Sequence, residues 1–156
     1  MRQLDRTDCK ILTILQADAS LPVAEVASRV GLSQTPCWRR IQRLRNDGVI
    51  ERTVSLVKPE AVGLGLTVFI TIEARDHSPE WLDNFTNVVA ALPEVLEVHR
   101  MAGDIDYLLR VAVADMAAFD HFYRELIAAV PLKNVSSHFA MERVKSTTAY
   151  PVESAA

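Results

Sequence analysis

The chain predicts an α+β fold: an N-terminal winged helix-turn-helix followed by a ferredoxin-like βαββαβ domain. Three observations predict it. Helical periodicity fills the first fifty residues, a β-branched alternating run begins at Leu66, and the charge divides between the two parts. Residues 1–58 hold ten Lys/Arg against six Asp/Glu, a net +4, whereas residues 59–156 hold seven against fourteen, a net −7. A basic head suits phosphates; an acidic body does something else.

The first helix is expected from about Asp5 to Ala17. Asp5 suits the N-cap, Asp8 sits in the acid-friendly first turn, and Ile11, Leu12, Ile14 and Leu15 supply the buried stripe. A second helix carries Val23, Val26, Ala27 and Val30 at i, i+3, i+4, i+7, and Gly31 closes it where a left-handed residue is commonly needed. Ser33 caps a third helix, Pro36 lies in its first turn, and Gly48 ends it. The β-rich run VIERTVSLV then pairs back as a short wing. A head of this size is near the lower limit for a self-sufficient core and is expected to lean on a dimer partner.

Lys58-Pro59-Glu60 and the Gly63/Gly65 pair mark a hinge. The boundaries expected are therefore 1–58 for the head, 59–65 for the hinge and 66–150 for the body. In the body Leu66–Ala74 reads as a strand, and Leu82, Phe85, Val89 and Leu92 as a helix opened by Ser78-Pro79. Val95–Met101 and Asp106–Val113 are strands around the turn Ala102-Gly103-Asp104. Met116, Phe119, Tyr123, Leu126 and Val130 form a helical stripe stopped by Pro131, and Val135–Val144 is the last strand. That order is the split βαβ sandwich. The tail after Pro151 is expected to fray.

Several function classes drop out. The apolar runs are far below the ~18 residues of a membrane span, and the charged start MRQLDRTD is not a secretory signal, so the expected address is the cytoplasm. The four histidines share no metal-ligand spacing, and no GxSxG, P-loop or GxGxxG run occurs. No catalytic residue, metal or cofactor is therefore expected. Cys9 and Cys37 read as small apolar core residues; a redox role for Cys37 stays open because a helix N-terminus lowers a thiol pKa.

The third helix carries the chemistry. It holds four arginines among residues 39–45 and keeps only a thin apolar seam at Cys37, Ile41 and Leu44. Such a helix is built to dock on a polyanion, and it reads as the recognition helix of a unit that binds double-stranded DNA. Gln34, Thr35, Trp38, Arg39 and Gln42 fall away from the seam. Arginine forks onto guanine and glutamine onto adenine, which makes Arg39 and Gln34 the base-reading candidates. Arg40, Arg43 and Arg45 are expected to hold phosphates, and Ser33 and Pro36 complete the set at the helix entry. Trp38 either stacks on DNA sugars or covers the seam. In the body, Gly103 permits a tight turn with exposed N–H groups able to hold a carboxylate, and Asp104 or Asp106 can take an ammonium. An ordinary polar hairpin turn is the competing reading.

Head and body together resemble the leucine-responsive regulator/AsnC family of prokaryotic transcription factors. The resemblance runs from Leu4 to Lys145 and rests on LDRTDCKIL, VASRVGLS, CWRRIQRLRNDGVI, GDIDYLLRV and AMERVKSTT. GLTVFITIEARDHSPEW and SSHFAMERVK further resemble a subgroup tied to cysteine detoxification. One departure is Glu51-Arg52, where the family carries a glycine-aromatic pair. The resemblance implies a regulator whose body dimerises and assembles into octamers or related rings, with a small amino acid bound between dimers. It places the effector at Met101, Gly103, Asp104, Ile105, Asp106 and Tyr107, with Ser136, Ser137 and His138 facing it from the last strand. Two rivals remain: a nonspecific architectural DNA protein without an effector, and a ferredoxin-like enzyme or binding protein whose basic head docks an acidic protein.

Overall fold

The computed structural model describes residues 4–152. These form two compact units, one running to Ser55 and joined by the described residues from Lys145 onward, the other Leu56–Val144.

The first unit is three helices: α1 (Arg6–Ala17), α2 (Val23–Val30) and α3 (Gln34–Asn46). Asp5 is the N-cap of α1 and makes a capping box with Asp8: its Oδ1 accepts from the Asp8 N–H at 2.8 Å, and Asp8 Oδ2 accepts from the Asp5 N–H at 3.3 Å. Gly31 ends α2 at φ 72, which lets the Leu32 N–H turn back to the Ala27 carbonyl at 2.9 Å. Ser33 stands at the N-cap of α3, but its side chain makes no capping bond. Ile11, Leu12, Val26, Ala27, Cys37, Ile41 and Leu44 form the core, as the helical periods predict.

Two expectations change here. Residues 51–58 take no strand, and Val54, Leu56 and Val57 are exposed; an extended run forms a wing only where a ladder partner meets it, and the described residues provide none there. The tail is not loose up to its last described residue. Val152 packs against the head core, and residues 153–156 lie outside the described part.

After a 3₁₀ turn at Pro59–Val62, the second unit runs β1 (Leu66–Ala74), α4 (Pro79–Ala91), β2 (Val95–Arg100), β3 (Tyr107–Val113), α5 (Met116–Ala129) and β4 (Leu132–Phe139). The strands pair antiparallel in the order β2-β3-β1-β4, the ferredoxin-like arrangement. Val68, Ile70, Ile72, Leu109, Val111 and Val113 point to one face and meet Trp81, Phe85, Val89, Phe119, Phe122 and Leu126. The stripe read on α5 needs one change. Phe122 is buried, whereas Met116 is 57% exposed at the helix's first residue. β4 also starts earlier and ends earlier than Val135–Val144, because its partner β1 begins at Leu66 and offers nothing beyond the Val68–Phe139 pair and the Thr67 carbonyl.

Candidate nucleic-acid interface and effector loop

On α3 the seam Cys37, Ile41 and Leu44 is buried, and successive residues step about 100° around the axis. Thr35, Arg39 and Gln42 therefore share the side opposite the core, with Trp38 and Gln34 on one shoulder. Ser33, Gln34, Thr35, Pro36, Trp38, Arg39 and Arg45 are exposed, and Gln42 is half-buried. Trp38 at 50% exposure does not seal the seam. Arg39 and Arg45 make no ion pair among the described residues, so both cations face solvent.

Arg40 and Arg43 behave differently. They lie three apart on the flank that faces α1, and Asp8 receives both: Arg40 Nη1 donates to Oδ1 at 2.8 Å and Arg43 Nη2 to Oδ2 at 2.6 Å. Arg40 Nη1 also reaches Asp5 Oδ2 at 2.6 Å. Asp8 is 2% exposed, the one charged group among the buried described residues. A buried carboxylate persists only when paired, and here each oxygen has a guanidinium. The hydrogen bond from Arg40 holds the Asp5 carboxyl below its ordinary value, and the same bond raises Arg40. Arg40 and Arg43, expected at phosphates, are thus ion-paired to the acids at the start of α1, while their side chains remain 28% and 34% exposed. The only local signal in the sequence is the pair Asp5 and Asp8, three apart at the start of α1.

Burial also answers the question left at Cys37. Its thiol is fully buried, and desolvation pushes its pKa up, opposite to what a reactive thiolate requires. Among the described residues no cluster of three His, Cys, Asp or Glu could hold a metal ion, and no helix is long and apolar enough to cross a membrane.

In the body, Gly103 takes φ 130, a conformation L side chains rarely adopt, with open space around it. Asp104 is exposed and makes no ion pair or side-chain hydrogen bond among the described residues. Asp106 is fastened instead. Its Oδ2 accepts from the Ala74 N–H at 2.7 Å, its N–H donates to the Ile72 carbonyl at 2.9 Å, and its carbonyl accepts from the Met101 N–H at 2.8 Å. The loop is thus pinned at its base by Asp106 and offers Asp104 at its tip. Met101 is exposed and Ile105 half-buried beside it.

The other four expected effector residues divide between the two faces of the sheet. Tyr107 is a core residue, its ring 4.5 Å from Phe85 and 5.9 Å from Trp81. On β4, Ser136 pairs with Thr71 and His138 with Phe69 on the helix-free face, while Ser137 pairs with Ile70 on the helix-covered face. Strand alternation forbids all three from facing one ligand. Sequence reading also missed an open, largely apolar cleft of about 460 Å³ between α4 and β2, lined by Leu82, Phe85, Val89, Val98, Arg100 and Tyr107.

Comparison with known proteins matches the head and the body to separate families of domain. Residues 4–45 match the AsnC-type helix-turn-helix domain, and residues 67–150 the Lrp/AsnC ligand-binding domain. The chain is 49% identical over 151 residues to the DNA-binding transcriptional activator DecR of Escherichia coli K12, covering 96% of this chain and 99% of that one. It is similar to the solved structure of an AsnC family transcriptional regulator from Agrobacterium tumefaciens, at 54% identity and TM-score 0.93, covering 97% and 99% of the two chains. A transcriptional regulator from Neisseria meningitidis in complex with L-Met is similar at 36% identity and TM-score 0.93, with the same coverage.

Proposed function

Because this chain belongs to the Lrp/AsnC family of DNA-binding transcriptional regulators, not enzymes, we propose that it reads specific duplex sites in the cytoplasm and responds to a small amino acid. The observation that carries the reading is the α3 surface: Gln34, Thr35, Trp38, Arg39 and Gln42 lie away from a buried three-residue seam, with Arg45 free beside them. Arg39 and Gln34 read bases, and Arg45 holds a phosphate.

The effector is assigned to the Gly103–Asp106 loop, where Asp104 takes the ammonium and the turn's N–H groups take the carboxylate. A sulfur-bearing amino acid is the first to screen. The Neisseria relative was solved with L-Met, and the cysteine-detoxification resemblance points the same way. The body assembles as a homodimer and then as octamers or related rings, with the effector between dimers. Effector binding favours one assembly over another, and each assembly fits differently spaced half-sites.

Two titrations test this. Duplex affinity should fall steeply with salt and exceed affinity for unrelated DNA by ~10³ or more. A thermal-shift series over the twenty amino acids should single out one or a few. Equal affinity for every duplex and a flat series would instead favour an architectural protein without an effector.

A further inference from the structure

We propose that Asp8 is a specificity-determining residue of the DNA-binding head, which acts by withholding Arg40 and Arg43 from phosphates while it fixes the seat of α3. The inference rests on the DNA-binding reading above. Its basis is geometric. Asp8 is 2% exposed, yet each of its oxygens accepts a guanidinium from a helix that otherwise presents arginines to solvent. Phosphate contacts raise affinity for all sequences alike, whereas base contacts separate one sequence from another.

A recognition helix with four free arginines would bind any duplex tightly and discriminate poorly. Pairing two of them with Asp8 and Asp5 leaves Arg39 and Arg45 as the exposed cations of α3. The same three ion pairs tie α3 to the start of α1 from one flank, which sets the angle at which Gln34, Thr35 and Arg39 are presented. Asp8 thus touches no DNA and positions the groups that do.

The test compares the full-length protein, Asp8→Asn and Arg43→Gln by fluorescence anisotropy over a series of KCl concentrations. The probes are a duplex selected by the wild-type protein from a randomised pool and an unrelated duplex. Asp8→Asn frees the Arg43 guanidinium and leaves Arg40 on Asp5 alone, so its log-affinity for the unrelated duplex should depend on log salt more steeply by about 1. Its affinity for that duplex should rise several-fold, and its preference for the selected one should drop about tenfold. A folded Asp8→Asn protein with wild-type slope and preference overturns the proposal. Arg43→Gln decides independently if Asp8→Asn does not fold. An unchanged slope supports the proposal, and a slope shallower by about one identifies Arg43 as a phosphate contact and overturns it. Absence of salt-dependent duplex binding by the wild-type protein removes the DNA-binding reading itself, a result distinct from either variant's.

Discussion

Gln16 and Tyr150, 134 positions apart, hold each other by two hydrogen bonds: Gln16 Nε2 donates to the Tyr150 carbonyl at 3.2 Å, and the Tyr150 N–H donates to Gln16 Oε1 at 2.7 Å. Two residues further on, Val152 packs against the head core. The C-terminal segment is therefore part of the head's fold, and a core this small gains from each added apolar contact.

Removal of residues 150–156 should loosen the head. The loss of two hydrogen bonds and of Val152's partial burial amounts to about 1–3 kcal/mol. Hydrogen exchange resolved by mass spectrometry would report it as faster exchange across α1, with β1 and β3 unchanged. Equal protection of α1 with and without the tail would assign the segment no structural role.

Asp104 and Asp106 should separate cleanly. Asp106→Ala leaves the Ala74 N–H without its acceptor and should cost the body about 1–3 kcal/mol. Asp104→Ala removes an exposed carboxylate and should leave the melting temperature within about 2 °C, since such surface changes rarely exceed ±0.5 kcal/mol. It should nevertheless abolish the thermal shift given by the effector. If Asp104→Ala keeps the full effector response, the ammonium is held elsewhere.

The helices were readable because their signals are local. Asp5 with Asp8, Ser78 with Pro79 and the left-handed Gly31 each act within one turn of the chain. What escaped depends on distant partners. Lys133 and Asn134 look like loop residues, yet both bond Glu73 across the ladder, so β4 begins at Leu132. The run 49–57 has strand composition but no ladder partner among the described residues. Phe122 and Tyr123 are adjacent on α5, and only packing decides that Phe122 is the fully buried one. In the candidate site, the exposed side of α3 followed from its period. The pairing of Arg40 and Arg43 required knowing that α1 brings Asp8 to them.

Gly31→Ala should destabilise the head by about 1–2 kcal/mol, the cost of a left-handed backbone for an L side chain. A Cβ there meets no atom within 4 Å, so the whole cost is conformational. Gly65→Ala is the control. Its backbone φ is not positive, the nearest atom to its Cβ is the Ala114 carbonyl oxygen at 3.5 Å, and it should be close to neutral. Urea unfolding would compare them, followed through Trp38 in a Trp81→Phe background for Gly31→Ala and through Trp81 in a Trp38→Phe background for Gly65→Ala. Similar losses for both glycines would contradict the conformational account.

Asp5 makes the head acid-sensitive. Its folded pKa is depressed below the ordinary 3.8, first by the hydrogen bond from Arg40 and then by that from the Asp8 N–H. A depressed carboxylate contributes stability that is present above the unfolded value and is lost as pH falls through the folded one. The loss should therefore begin near pH 4–5 and continue below 3.8. With the Asp5 side chain 51% exposed, solvent screens the pair and the effect is modest. Asp5→Asn should be the less stable protein at pH 7 yet show a flatter decline toward pH 3 in the same Trp38-monitored unfolding. Parallel declines for the two proteins would mean that the Arg40–Asp5 bond carries no linkage and that Asp8 alone anchors the flank of α3.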